Sequence, residues 1–210
     1  MRLMQKATDL DTKEKILDVA TNLFAQKGFS GTSVRDIAQQ AGVNLAAINY
    51  HFSNKRNLLQ AVIHHGYDVL KDGVLKLEGE KSESFVDFSL KVYDLMLQHG
   101  NLTLNMMKIM LSEEAKGLDK CADPEDVLIG PPGGHIMFAV LTKEVGEESP
   151  EEKRMWAVRT VFSLIFHKVT MLNSYICHQP EMKEIFTPEL MRQGIEDLAS
   201  MIVKNFRTDD

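Results

Sequence analysis

The chain has 210 residues, of which 44% are hydrophobic and 26% are charged, so it can bury a sizeable core in one or two domains. Its net charge of −6 is divided unevenly. Residues 1–60 hold eight Lys and Arg against five Asp and Glu, whereas residues 61–210 hold sixteen against twenty-five. A basic excess confined to the N-terminal part is typical of a surface that contacts nucleic acid.

Other classes of protein are disfavoured by the composition and the motifs. The two cysteines, Cys121 and Cys177, give no disulfide framework and match no metal motif. The N-terminal segment MRLMQKATDL lacks the apolar run of a signal peptide, and no stretch approaches the roughly 18 apolar residues of a membrane span. There is no Gly-rich phosphate loop, HExxH motif or nucleophile elbow. We expect a cytoplasmic protein that is not an enzyme and needs no cofactor or metal.

The first predicted helix runs from residue 11 or 12 to Gly28, and residues 1–10 are expected to form a poorly tied-down arm. Apolar residues at helical spacing mark the buried face of this helix. They are Ile16, Leu17, Ala20, Leu23 and Phe24.

Two short helices are predicted next, over residues 34–40 and 45–51. Ser33 or Thr32 is the N-cap of the first, and Asn44 is the N-cap of the second. Gly42 stands where the first helix must stop and the backbone needs a positive φ. Two helices joined by a short turn that contains Gly are the helix-turn-helix pattern, whose second helix enters the DNA major groove.

The remaining predicted elements are also helical, because the apolar residues show no β alternation. A fourth helix is expected over residues 55–77, with Asn54 or Ser53 as its N-cap. Five more follow, over residues 84–98, 102–115, 135–145, 150–177 and 188–206. Residues 116–134 are rich in Gly, Pro and Asp and are expected to form a long loop. The predicted fold class is all-α.

Residues 12–62 closely resemble the DNA-binding domain of the TetR family of bacterial transcriptional repressors. The matching features are LFAQKGF, GTSVRDIAQQAGV, the INYHFSNK block and the LL that follows it. The resemblance implies a three-helix DNA-binding domain over residues 1–55 and a helical ligand-binding and dimerisation domain over residues 56–210. It also implies a repressor that binds a palindromic operator in double-stranded DNA as a homodimer. The helices at 150–177 and 188–206 would form the dimer interface.

The predicted DNA-binding residues lie in and around the two short helices. Asn49 can bond bidentately to adenine, and Tyr50, His51 and Lys55 are residue types that hold phosphates. The family commonly has a basic residue, then Gly, then an aromatic where Leu45, Ala46 and Asn49 stand here, so we expect a different operator sequence. The full set is Thr32, Ser33, Arg35, Asn44, Leu45, Ala46, Ala47, Asn49, Tyr50, His51 and Lys55.

The resemblance also implies a small-molecule effector inside the C-terminal helices. Methionine packs adaptably around irregular ligands, and the scarcity of charge on these faces favours a largely apolar one. The predicted ligand-binding residues are Met106, Met107, Met110, Phe138, Phe162, Phe166 and His167, with Trp156 and Tyr175 as further material. Two alternatives remain: a regulator that acts through a protein partner without an effector, and a metal or redox sensor that uses Cys121, Cys177 and His178.

Overall fold

The computed structural model describes residues 2–78, 84–116 and 131–208. Within these ranges the chain forms nine α-helices and three short 3-10 turns, without any strand. The helices are α1 (Arg2–Lys27), α2 (Val34–Ala41), α3 (Leu45–Phe52), α4 (Lys55–Glu78), α5 (Phe85–Gln98), α6 (Gly100–Met110), α7 (Gly134–Val145), α8 (Glu151–Leu172) and α9 (Pro188–Thr208). The predicted all-α class is confirmed. No helix in these ranges is long and apolar enough to span a membrane.

Contacts divide the described chain into two compact units. The N-terminal unit comprises residues 2–67 and 105–116, and the C-terminal unit comprises residues 68–78, 84–104 and 131–208. The first part of α4 and the second part of α6 therefore pack with the first three helices. The sequence places the boundary between the DNA-binding domain and the ligand-binding domain after residue 55. This functional boundary stays a prediction.

Two predicted helix boundaries are wrong. Helix α1 begins at Arg2, so residues 2–10 are not an arm. Strong helix formers fill this segment, and neither Gly nor Pro interrupts it before Gly28. Helix α8 ends at Leu172 rather than near residue 177. There the Met171 carbonyl accepts both the Ser174 N–H (3.0 Å) and the Ser174 hydroxyl (2.7 Å), which closes a tighter turn in place of the next helical bond.

Smaller differences concern the segments between helices. The helix predicted over residues 102–115 is α6, which ends at Met110, followed by a 3-10 turn at Glu113–Ala115. Pro150 precedes α8 as its N-cap instead of lying in its first turn. Most of the predicted loop at 116–134, including Cys121, lies outside the described residues.

The core of the N-terminal unit is formed by α1, α2, α3 and the start of α4. The predicted apolar face of α1 is buried throughout. The side chain of Met106 on α6 fills the space beside Gly66 of α4, where a Cβ would find no room. Asn105 on α6 donates a hydrogen bond to the side chain of Asn22 on α1 (2.9 Å). Helix α6 is thereby fastened to both α1 and α4.

The core of the C-terminal unit lies between α5, α7, α8 and α9. Its largest fully buried side chains include Phe85, Phe88, Tyr93, Met137 and Ile165, and burying one side chain of this size contributes about 1.5–3 kcal/mol. The Tyr93 hydroxyl donates to the Pro188 carbonyl (2.9 Å), and burial raises the pKa of Tyr93 to about 12. The α5–α9 contact is therefore both apolar and hydrogen-bonded.

A buried arginine joins α8 to the end of α7. Arg154 is 7% exposed, and its Nη1 donates to the carbonyl of Gly146, the residue that ends α7 (3.0 Å). Its guanidinium carbon lies 5.3 Å from the centre of the Phe138 ring. A cation at a helix C-terminus is favoured by the helix dipole, and the ring face adds a further attraction.

Arg154→Ala should lower the free energy of unfolding by about 2–3 kcal/mol, because a charge-assisted hydrogen bond and a ring contact are lost from a buried position. Lys143→Ala, which removes an exposed cation from the last turn of α7, is the matched control and should change stability by less than about 0.5 kcal/mol. Urea denaturation of the three proteins measures the difference. Equal stabilities would contradict the assigned role of Arg154.

Candidate nucleic-acid interface

Helix α2 is defined at both ends by side chains and backbone bonds that the sequence specifies. Ser33 is the N-cap, and it forms a reciprocal capping box with Asp36, each side chain accepting the other's backbone N–H at 3.0 Å. The Ser33 hydroxyl and N–H hold the pKa of the Asp36 carboxyl below its usual range. At the other end Gly42 has φ of 65°, and the bonds from Gly42 to Gln39 and from Val43 to Ala38 form a Schellman motif.

Helix α3 begins with the predicted cap and is anchored along one side only. Asn44 accepts the N–H of Ala47 on its side-chain oxygen at 2.7 Å. Ile48 and Phe52, one turn apart, are 1% and 4% exposed. Because these two anchors fix the rotation of α3, Asn49 and Tyr50 point to solvent, with Tyr50 76% exposed. Anchored on one face and bare on the other, α3 has the form that a groove-reading helix requires.

A strained turn joins α3 to α4. Ser53 has φ of 60° and ψ of −45°, and the Asn54 N–H donates to the Phe52 carbonyl at 2.6 Å, which is a γ-turn of the rare positive-φ type. Such a backbone costs on the order of 1–3 kcal/mol. Asn54 then accepts the Asn57 N–H at 2.9 Å and caps α4. Lys55 therefore starts α4 only three residues after α3 ends.

Ten of the eleven predicted DNA-binding residues occupy accessible positions, and one is buried. Thr32 is 1% exposed, and its hydroxyl donates to the carbonyls of Leu23 (3.1 Å) and Gly28 (2.8 Å), so its side chain stabilises the end of α1 and cannot reach DNA. Arg35, Leu45, Ala46, Asn49 and Tyr50 are exposed; Ala47, His51 and Lys55 are half-buried; Ser33 and Asn44 are exposed caps.

The predicted ligand-binding residues do not form one buried set. Met106 is buried and Met107 half-buried in the N-terminal unit, while Phe138, Phe162 and Phe166 are half-buried in the C-terminal unit. The inward positions predicted for Met110, His167 and Tyr175 are wrong, since all three side chains are exposed, and Trp156 is 67% exposed. His167 and Trp156 lie on the side of α8 opposite Val158 and Ile165, which already face the core.

Three features of the site were not predicted from sequence. The ammonium of Lys55 lies 4.1 Å from the centre of the Phe29 ring. Ser53 carries a positive φ, which no residue-type rule assigns to serine. Arg56 donates to the Lys116 carbonyl at 3.3 Å, a contact with a segment 60 residues away. The sequence marks Phe29 as an aromatic residue directly after a helix-ending Gly, but nothing in it indicates Lys55 as the partner.

A metal centre finds no support within the described ranges. They contain no group of three or more His, Cys, Asp or Glu side chains placed to hold an ion. Cys177 is buried, and Cys121 lies outside the described residues. A metal or redox sensor built on these cysteines stays an untested alternative.

Comparisons with known proteins agree with this geometry. A family model described as bacterial regulatory proteins, tetR family, matches residues 16–62. The chain is 49% identical over 59 residues to the "Probable HTH-type transcriptional regulator YttP" of Bacillus subtilis (strain 168), a match that covers 28% of each chain. It is 32% identical over 75 residues to the biofilm operon icaADBC HTH-type negative transcriptional regulator IcaR of Staphylococcus aureus (strain Newman), covering 36% of this chain and 40% of that one.

The two curated relatives are therefore matched over less than half of their length. A solved structure extends the likeness of fold to most of the chain. The TetR transcriptional regulator from Legionella pneumophila superposes with a TM-score of 0.64 at 21% identity, covering 89% of this chain and 96% of that one. The family model thus places residues 16–62, within α1 to α4, among the bacterial regulatory proteins of the tetR family, and the solved structure shows that the all-helical fold is shared beyond them.

Proposed function

We propose that the protein is a transcriptional repressor that binds a palindromic operator as a homodimer and is released by a small, largely apolar ligand. The observation that carries the proposal is the capped helix α3, which buries Ile48 and Phe52 and leaves Asn49 and Tyr50 bare. Such a protein acts on chromosomal DNA, so we place it in the cytoplasm.

Base reading is assigned to the outer side of α3. The exposed side chains nearest its start, Leu45 and Ala46, are apolar and short enough to let the helix approach base edges, where they contact thymine methyl groups. Asn49 follows on the same exposed side and supplies both a donor and an acceptor, which matches adenine. Direct readout in this protein then depends on one amide and on apolar contacts.

Phosphate binding is assigned to residues around α3. Tyr50 and Arg35 are exposed, and Lys55 stands at the start of α4. These contacts fix the register of the protein on DNA without reading sequence. Because α3 carries no Lys or Arg, the flanking residues supply most of the electrostatic attraction at each half-site.

The dimer is assigned to the outer sides of α8 and α9. Trp156, Thr160 and His167 share one exposed face of α8, at i, i+4 and i+11. On α9, Leu190 (54% exposed) and Met201 (68% exposed) share a face at i and i+11. Large apolar side chains exposed in a row mark a surface that associates with another protein. A second copy of the chain is the partner that a palindromic operator requires.

The effector is assigned to the half-buried aromatic residues of the C-terminal unit. The rings of Phe162 and Phe166 stack at 6.4 Å between centroids on α8. Both side chains remain partly accessible although they pack against the core. An apolar ligand that covers them binds the DNA-free form of the protein more tightly than the DNA-bound form. By linkage, ligand and DNA then weaken each other's binding.

The test of the proposal as a whole is selection of genomic fragments on the purified protein at about 150 mM salt, where non-specific electrostatic binding is weak. Recovery of one or a few fragments that share a palindrome is the expected result. Fragments without any common motif would overturn the sequence-specific part of the proposal.

Asn49→Ala should remove about 1–3 kcal/mol of discrimination at one base pair per half-site and leave other positions unchanged. Lys55→Ala should weaken all sequences about equally and reduce the slope of log affinity against log salt by about 0.9 per half-site. Competition binding against operators with single base changes measures both effects. Asn101→Ala, an exposed Asn at the start of α6 and outside the DNA-facing set, is the control. A uniform loss in Asn49→Ala would remove its base-reading role.

Met201→Asp should weaken dimerisation at least tenfold, because it places a charge in a dry apolar contact. Met110→Asp is the matched control, since Met110 is 61% exposed but lies on α6, outside the assigned dimer surface. Sedimentation velocity at a series of protein concentrations reports the dissociation constants. If both variants dimerise like the parent protein, the surface on α8 and α9 is not the interface.

A further inference from the structure

The ammonium of Lys55 rests on a half-buried aromatic ring that packs against a core side chain. Its Nζ lies 4.1 Å from the centre of the Phe29 ring, well within the range of a cation–π interaction. Phe29 packs in turn against Phe24, with ring centroids 5.8 Å apart, and Phe24 is only 4% exposed. The Phe29 ring that contacts Lys55 is therefore held on one side by a buried aromatic side chain.

This contact restrains Lys55 without neutralising it. Among the described residues Lys55 has no carboxylate within ion-pair distance, so the uncharged ring is its partner. By contrast Lys116 pairs with Glu113 at 2.6 Å, an opposite charge that offsets its own. The neighbouring Arg56 keeps its charge but directs its Nη2 to the Lys116 carbonyl (3.3 Å). Of the two consecutive cations that begin α4, Lys55 is the one whose charged group rests on a neutral ring and not on a backbone carbonyl.

The position at the start of α4 explains why a ring is needed. A helix N-terminus carries partial positive charge, so it repels the ammonium of a residue in its first turn. The negative face of an aromatic ring offsets that repulsion. The γ-turn at Ser53 and the cap by Asn54 fix the backbone of Lys55, and the Phe29 ring fixes its tip. Both ends of the side chain are thus set before any ligand arrives.

We propose that Phe29 is the positioning residue for Lys55, holding its ammonium where it meets a DNA phosphate. The proposal rests on the proposed function, in which Lys55 contacts the backbone of DNA. A free lysine side chain loses most of its rotamer freedom when it binds a phosphate. With the ring in place, the lysine has already lost this freedom in the free protein. The phosphate then meets an ammonium whose charge no carboxylate offsets.

The test compares Phe29→Leu, Lys55→Gln and the double variant in binding a labelled random-sequence duplex at about 50 mM salt, where phosphate contacts dominate. Phe29→Leu should weaken binding about two- to fivefold for each lysine that contacts DNA. The salt slope should stay unchanged, because Lys55 keeps its charge. In the Lys55→Gln background Phe29→Leu should have no further effect. Equal losses in both backgrounds would mean that Phe29 acts only through the fold, and would overturn the proposal.

Leu17→Ala is the control for packing. It removes a buried side chain (4% exposed) from α1 in the same unit and leaves Phe24, Phe29 and Lys55 in place, so it should leave affinity and salt slope unchanged below the unfolding temperature. Phe29→Tyr, which keeps the ring, should retain the parent affinity. A loss in Leu17→Ala as large as that in Phe29→Leu, or weakened binding in Phe29→Tyr, would also overturn the positioning role.

A second measurement is independent of DNA. In the free protein the ε-methylene protons of Lys55 should show an upfield ring-current shift by NMR that disappears in Phe29→Leu and persists in Leu17→Ala. Absence of the shift would overturn the proposal even if the protein selects a palindromic operator. Conversely, the shift would support the proposal if the effect of Phe29→Leu on binding random-sequence duplex also depends on Lys55. That support would stand even where no operator is recovered and the proposed sequence-specific function fails.

Discussion

Burial of Ile48 and Phe52 is the constraint on which the rest of the N-terminal unit depends. These two side chains fix the rotation of α3 about its own axis, and a rotation by one residue would put Asn49 in the buried position of Ile48. The Schellman motif at Gly42 and the γ-turn at Ser53 then set where α3 begins and where α4 follows. A site of few polar groups works only if each is held in place, and here the hydrophobic core holds them.

Strain and capping serve the same end at the two turns. At Gly42 the positive φ is accommodated by a residue without a Cβ. At Ser53 it is imposed on a residue that disfavours it, and the surrounding helices must supply the free energy that keeps it there. The gain is that Lys55 starts α4 close to the end of α3. Arg56, one position later, is directed instead to the carbonyl of Lys116, directly after the 3-10 turn Glu113–Ala115, so adjacent basic residues have separate contacts.

Local sequence signals predicted the parts of this molecule that local interactions determine. Ser33, Gly42 and Asn44 act through bonds to residues within five positions; the roles of Gly42 and Asn44 were predicted, and Ser33 was one of the two N-caps predicted for α2. Thr32 was misplaced because its hydroxyl bonds to Leu23, across the turn that ends α1. His167 and Met110 were misplaced because helical spacing shows that residues share a face but not which face meets the core. The contact of Phe29 with Lys55 joins residues 26 positions apart and follows only from the folded chain, which places the segment after α1 beside the start of α4.

The absence of basic residues on α3 shifts the balance between affinity and specificity. A helix with arginine on its reading face gains both from one side chain, because the charge attracts phosphates while the fork reads guanine. Here Asn49 reads without attracting, and Lys55 attracts without reading. Affinity per half-site must then come from a small number of flanking cations, so each must contact its phosphate efficiently. An ammonium held ready on a neutral ring meets that requirement better than one held by a carboxylate, which would position it equally well but cancel the charge that DNA binds.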